Sequence, residues 1–285
     1  MYTQEITRRH RAAIVIAIDQ SSSMSERIGL RGCPLSKAEM VSIVTGQLID
    51  ELILRSHRDS GYRHYYDIAV VGYSGEDVTP LLGEELVFYP ITMLAGRSVP
   101  KVPYNQTHSI VNGGIWQLNE DVSMWISPAA CGATPMYKMI TCVTELVEEW
   151  CAKEENRESF PPLVFNITDG EASDADYDML RNAASRLKKT GTEDGNTLFI
   201  NVHISSDMNH AQLLFPNIRE IPLSVRHAHL LMDMSSEMPK SLHSYICNCR
   251  PNFAEPPYIA MSYNALIADL VTMLNIGTRS VVLGL

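Results

Sequence analysis

At 285 residues, 45% hydrophobic and 20% charged, the chain is long enough to bury a sizeable core and too apolar to be disordered as a whole. Its formal net charge of -10 argues against nucleic acid or an anionic membrane as the partner, since both need a positive field. No stretch approaches the ~18 uninterrupted apolar residues of a membrane helix, and the start of the chain, with Arg8-Arg9-His10-Arg11, has no hydrophobic signal core. The expectation is a cytoplasmic protein. Its six cysteines (Cys33, Cys131, Cys142, Cys151, Cys247, Cys249) are scattered, which fits reduced thiols better than a disulfide framework.

Apolar runs alternate with helix-period segments, the pattern of strands covered by helices on both faces. The predicted fold class is therefore α/β, a Rossmann-like doubly wound and mostly parallel central sheet. Residues 12–18 (Ala-Ala-Ile-Val-Ile-Ala-Ile) read as the first strand. Residues 35–57 repeat Met40, Val41, Val44, Leu48, Ile49, Leu52 and Ile53 at helical spacing, with Pro34 fixing the entry. Residues 66–74 read as a second strand closed by Gly75, and 85–91 as a short edge strand ended by Pro90. Over 92–126, Gly, Pro and Asn interrupt the pattern while Trp116 and Trp125 supply apolar anchors. That predicts an insertion packed on the domain, shaping a partner surface or covering a sheet edge.

Helical period returns over 135–151, with Thr134 as cap and Pro135 at the first helical position. Residues 163–168 read as a buried strand ending at Asp169-Gly170. A helix is expected over 174–189, acidic early and carrying Lys188-Lys189 late, as the helix dipole favours. Residues 197–204 read as another strand and 229–234 as the last core strand. A short helix follows over 239–246 and a closing amphipathic helix over 259–274. The domain reading is a single domain over 1–285 with its core at about 12–235, the insertion at about 92–126 and a C-terminal helical extension at about 236–285. The apolar tail 279–285 is expected to be covered.

Chemistry concentrates at the ends of the strands. Asp19-Gln20-Ser21-Ser22-Ser23 puts a carboxylate and hydroxyls on the loop leaving the first strand. Hard oxygen donors without His or Cys suit Mg²⁺, Mn²⁺ or Ca²⁺ rather than zinc. The alternative is a turn and cap loop, since Asp and Ser satisfy backbone groups after strands. Thr134 and Asp169 fall at equivalent places, and in an open parallel sheet such loops converge on one crevice.

Asp19-x-Ser21-x-Ser23, Cys131-Gly132-Ala133-Thr134-Pro135 and Ile167-Thr168-Asp169-Gly170 together resemble the metal-ion-dependent adhesion site (MIDAS) of the von Willebrand factor A (vWA) domain. All five ligand positions are filled, and the order of elements matches over roughly 12–235. Ala133 stands where that family often has Gly, which changes loop geometry and removes no ligand. The resemblance implies that Ser21, Ser23 and Thr134 are hydroxyl ligands and that Asp19 and Asp169 hold coordinated waters, with Thr134 or Asp169 binding directly depending on state. It further implies an open coordination position for a Glu or Asp carboxylate of a protein partner, and no catalysis. Stand-alone cytoplasmic proteins of this type work beside AAA+ ATPases, kinases or phosphatases in tellurium-resistance and stress gene sets, an expectation by analogy.

The competing reading is a metal-dependent phosphohydrolase using Asp19. Such enzymes want a second acid two residues on, where this chain has Ser21. No Lys or Arg is evident near the site, and GxxxxGK[ST], GxGxxG and Gly-x-Ser-x-Gly motifs are absent. Elsewhere, Cys247, Cys249 and His243 supply at most half a zinc site. His227-x-His229 reads as a structural pair on one strand face and His203 as a core residue. Asp207, Asn209 and His210, with Glu26, Arg27, Arg31, Glu76 and Asp77, are partner rim or solvated charge.

Overall fold

A computed structural model describes residues 2–27, 35–109, 115–205, 212–221, 226–249, 255–265, 269, 272 and 273, with backbone only over 104–120. The chain runs β1 (Ala12–Asp19), α1 (Lys37–Ser56), β2 (Tyr66–Ser74), β3 (Asp77–Pro80), β4 (Tyr89–Pro90), α2 (Ile91–Leu94), β5 (Lys101–Ser109) and β6 (Ile115–Ser123). It continues through α3 (Met136–Cys151), β7 (Phe160–Thr168), α4 (Tyr177–Lys189), β8 (Leu198–Ile204), β9 (Leu213–Leu214), α5 (Arg226–Met234), α6 (His243–Cys249) and β10 (Met261–Ala265).

Every residue of β1 is buried, as a strand covered on both faces requires. It pairs in parallel with β2 on one side and β7 on the other. The eight-stranded sheet has the order β9-β10-β8-β7-β1-β2-β3, with β4 also on the edge of β2. Parallel pairing holds from β10 to β2, and the strands outside that span are antiparallel. Alternate residues feed two cores. Ile14, Ile16, Phe165 and Ile200 pack with Met40, Val44 and Leu48 of α1, while Val15, Ala17, Val164 and Phe199 pack with Met139, Leu180 and Leu231 of α3, α4 and α5. The α/β, doubly wound, mostly parallel expectation holds.

From β1 the chain passes to β2 on one side and later to β7, β8 and β10 on the other. Loops leaving β1 and β7 therefore part at a topological switch point, the place where open α/β sheets form ligand crevices. α1 starts at a capping box, Ser36 accepting from Glu39 N while Glu39 Oε2 accepts from Ser36 N at 2.7 Å. Pro34, expected at that entry, lies outside the described residues.

Several expectations are corrected. Residues 229–234 belong to α5, not a strand: Ala228, Leu231 and Met232 recur at helical period, and a parallel β8-to-β10 step needs a crossover. The start of 259–274, expected as helix, is β10, so a segment assigned to the C-terminal helical extension joins the central sheet. Met261-Ser262-Tyr263-Asn264-Ala265 in fact alternates at the strand period, a five-residue signal too short to stand against the helical period read over 259–274. The 85–91 edge strand shortens to β4, and β3 takes most of that edge.

The 92–126 segment is a hairpin, β5 with β6, after α2. Its base is fixed on α1, where Trp125 Nε1 donates to Asp50 Oδ1 at 2.8 Å and a Cβ at Gly46 would stand 2.3 Å from the Ser123 carbonyl oxygen. Among the described residues no helix is long and apolar enough to cross a membrane. The 279–285 tail, Arg31, Asp207, Asn209 and His210 lie outside the described residues.

Candidate metal centre

The β1 carboxylate is set before any ligand arrives. Asp19 is fully buried; its Oδ1 accepts from Ser21 N at 2.8 Å and its Oδ2 from the Thr168 hydroxyl at 2.7 Å. Burial pushes its carboxyl above the usual range, the Ser21 and Thr168 hydrogen bonds oppose that, and the charge of Asp169 adds to it. Two residues on, the Ser21 and Ser23 hydroxyls lie 3.1 Å apart, and Ser23 donates to Asp169 Oδ1 at 2.7 Å. Asp19, Ser21, Ser23 and Asp169 are thus joined by one run of polar contacts across the β1 and β7 ends.

Thr134 reaches the same edge by a different route. The loop before α3 is pinned to the β1 loop, with Cys131 N donating to Gln20 O at 2.7 Å and Ser22 N to Gly132 O at 3.0 Å. It is also pinned to the β2 end, where Gly75 N donates to Ala133 O at 2.9 Å. Gly132 has φ +73° and a Cβ there would stand 2.8 Å from Gly75, so this tight seating needs glycine. Thr134 N donates to Ser173 Oγ at 2.9 Å, while the hydroxyl of this buried residue enters no hydrogen bond among the described residues.

The expectation that Thr134 caps α3 fails. The cap position is Pro135, without a side-chain bond, and Asp174 takes over by accepting from Tyr137 N at 3.0 Å and Lys138 N at 2.9 Å. A carboxylate suits the positive end of the helix dipole better than a hydroxyl, and Thr134 is left uncommitted.

Two residues at the centre have no place in the sequence reading. Thr168 orients Asp19, and its only signal is adjacency to Asp169. Lys37, the first residue of α1, donates from Nζ to Asp169 Oδ2 and to Glu26 Oε2, each at 2.8 Å, with its own side chain 4% exposed and that of Asp169 0%. The expectation that no cation stands near the site is corrected: an ammonium is built into it. Arg27 bridges to Ser36 through the backbone, and Lys138 ties Glu76 O and Asp77 together, so Glu26, Glu76 and Asp77 are engaged locally.

Beside Asp169 lies a cavity of about 290 Å³ lined by Asp169, Gly170, Glu171, His203, Ser205, His227, Tyr263 and Asn264. His203 is buried, as expected, and stacks on Tyr263 at 4.6 Å between centroids; burial, then the neighbouring His227 and Lys37 charges, pushes its ring down to about 3. His227 and His229 sit in the first turn of α5, where residues two apart do not share a face, and His227 Nε2 lies 3.0 Å from the Tyr263 hydroxyl. His243 faces the Met238 carbonyl and Cys247 the Tyr258 hydroxyl, and among the described residues they belong to no group of three metal-ligating side chains.

Among the described residues no three His, Cys, Asp or Glu side chains could together hold a metal. A metal held by the five-residue set would rely on hydroxyls instead. Its donors are all hard oxygens, two carboxylates and three hydroxyls, and the Thr134 hydroxyl is uncommitted. That chemistry fits Mg²⁺, Mn²⁺ or Ca²⁺.

No protein-family model matches the sequence, and no curated protein does. Solved structures do. A von Willebrand factor type A protein from Catenulispora acidiphila is similar at 16% identity and TM-score 0.40, over 69% of this chain and 34% of that one. Proximal thread matrix protein 1 from the mussel byssus, with a zinc-occupied MIDAS motif, is similar at 14% identity and TM-score 0.37, over 70% and 37%. The vWF domain of the type V pili tip protein Mfa5 from Porphyromonas gingivalis follows at 13% identity and TM-score 0.32, over 57% and 39%. This chain spans between 34% and 39% of the length of these three.

Proposed function

We propose that the chain is a metal-dependent protein-binding module of the vWA type and not an enzyme. The observation that carries this reading is the run of oxygen-bearing side chains from Asp19 through Ser21 and Ser23 to Asp169 at the switch point of the sheet. In it, Ser21, Ser23 and Thr134 ligate the ion, Asp19 and Asp169 hold its waters, and a Glu or Asp carboxylate of a partner protein completes the shell. The ion, when bound, supplies an electrophilic centre for that carboxylate; Mg²⁺ fits best, with Mn²⁺ or Ca²⁺ as substitutes.

A cytoplasmic location follows from the same reading, in line with Cys131, Cys142, Cys151 and Cys247 carrying no disulfide. The link to ATPase, kinase or phosphatase systems in stress or tellurium resistance rests on the family resemblance and is tested by the neighbouring genes.

One observation favours the phosphohydrolase reading: a cation, Lys37, does stand at the site. It is already bonded to two carboxylates, however, and Ser21 still occupies the position of the second acid. The test is thermal unfolding with Mg²⁺, Mn²⁺ and Zn²⁺. At a hundredfold excess over Kd the wild type should gain roughly 5 °C while Asp19→Ala and Thr134→Ala do not move. Equal shifts in all three proteins remove the metal assignment. Hydrolysis of p-nitrophenyl phosphate that disappears in Asp19→Asn establishes the enzyme instead.

A further inference from the structure

Lys37 is an unusual neighbour for a site that is to receive a divalent cation. Its position is rigid: the Ser36–Glu39 capping box starts α1 there, and Lys37 N donates to Glu26 O at 3.0 Å. Its ammonium is withdrawn from water and divides itself between Asp169, inside the centre, and Glu26, outside it, at 2.8 Å each. Each Asp169 oxygen therefore already accepts one donor, Oδ2 from Lys37 and Oδ1 from the Ser23 hydroxyl. Of the two carboxylates in the set, one already faces an ammonium before any ion binds.

We infer that Lys37 determines how tightly this centre holds its metal: it occupies the electrostatic place of a cation, keeps the loops assembled without an ion, and keeps intrinsic divalent affinity low. The inference rests on the metal reading of the site. An ion bound by Ser23 and held through water by Asp169 sits one carboxylate away from a permanent positive charge, where solvent screens little. A partner carboxylate supplies the missing negative charge, so ion and partner bind this centre cooperatively.

The experiment is calorimetric titration of the whole protein with Mn²⁺ alone. Lys37→Met and Lys37→Gln remove the charge, the second keeping hydrogen-bond donors toward Asp169 and Glu26 so that the loops stay seated, and Lys37→Arg retains it. Both neutral variants should bind Mn²⁺ at least about tenfold more tightly than wild type, with Lys37→Arg within about threefold of it. In chelator the neutral variants should melt below wild type, and Mn²⁺ should close the gap. Equal or weaker Mn²⁺ binding by the neutral variants overturns the role of Lys37 and leaves the metal reading standing. No Mn²⁺ binding by wild type or any variant overturns the metal reading itself, and this inference with it.

Discussion

The two ends of the central sheet each bury a carboxylate, and they treat it in opposite ways. At the N-terminal end, Asp67 meets His64 Nε2 at 2.6 Å and the donor Trp150 Nε1 at 3.0 Å, with the Arg11 guanidinium forming an ion pair at 3.9 Å. Burial alone would raise its carboxyl, but the His64 and Trp150 hydrogen bonds and the charges of His64 and Arg11 outweigh that and hold it below the usual range. At the C-terminal end, Asp19 has two donors, a second carboxylate nearby and a carboxyl pushed up. Asp67 is held by donors and a neighbouring positive charge, whereas Asp19 is held by Ser21 N and the Thr168 hydroxyl with no cation on it, and the ammonium at this end goes to Asp169 and Glu26.

The largest expected effect breaks that contrast directly. Asp67→Asn should lose about 2–3 kcal/mol in chelator, because the charged form is the one its donors favour. Asp19→Asn, which relieves a buried like charge, should lose about 1 kcal/mol or less while abolishing the metal response. Urea unfolding of both variants decides; equal losses would erase the distinction between the ends.

Next comes Gly132→Ala, which forces a Cβ into Gly75 at a left-handed backbone position and should cost about 1–3 kcal/mol. Because this loop carries Thr134, the variant should also lose its Mn²⁺ shift; retention of the full shift would show that Thr134 is seated independently. The smallest effect is in pH. With its folded value below the unfolded one of about 3.9, Asp67 contributes stability that is present above that pH and fades as pH falls through the folded value. The acid limb of wild-type unfolding should therefore be steeper than that of Asp67→Asn, and superimposable limbs would remove Asp67 from the tie.

Buried parallel strands were the most legible part of the chain. Residues 12–18, 66–74 and 163–168 are apolar nearly throughout, and the structure places strands there because burial on both faces demands it. α5 and β10 differ from the expectation for the converse reason: nine residues of mixed polarity and a strand of only five are too short for one period to decide. At the candidate site the spacing and order along the chain single out Asp19, Ser21, Ser23, Thr134 and Asp169, and the structure joins four of them, Asp19, Ser21, Ser23 and Asp169, by polar contacts. Lys37 and Thr168 are not singled out in this way. Lys37 meets Asp169 across 132 residues and Thr168 meets Asp19 across 149, and nothing local to either marks the encounter.

Local composition thus determined the hard-oxygen character of the centre and the strands that carry it, because residue type and short-range period are properties of single segments. The charge of the centre was decided elsewhere. Only the packing of α1 against the switch point brings a lysine ammonium onto Asp169, and that contact, a matter of register between distant elements, fixes whether the site awaits a cation or already holds one.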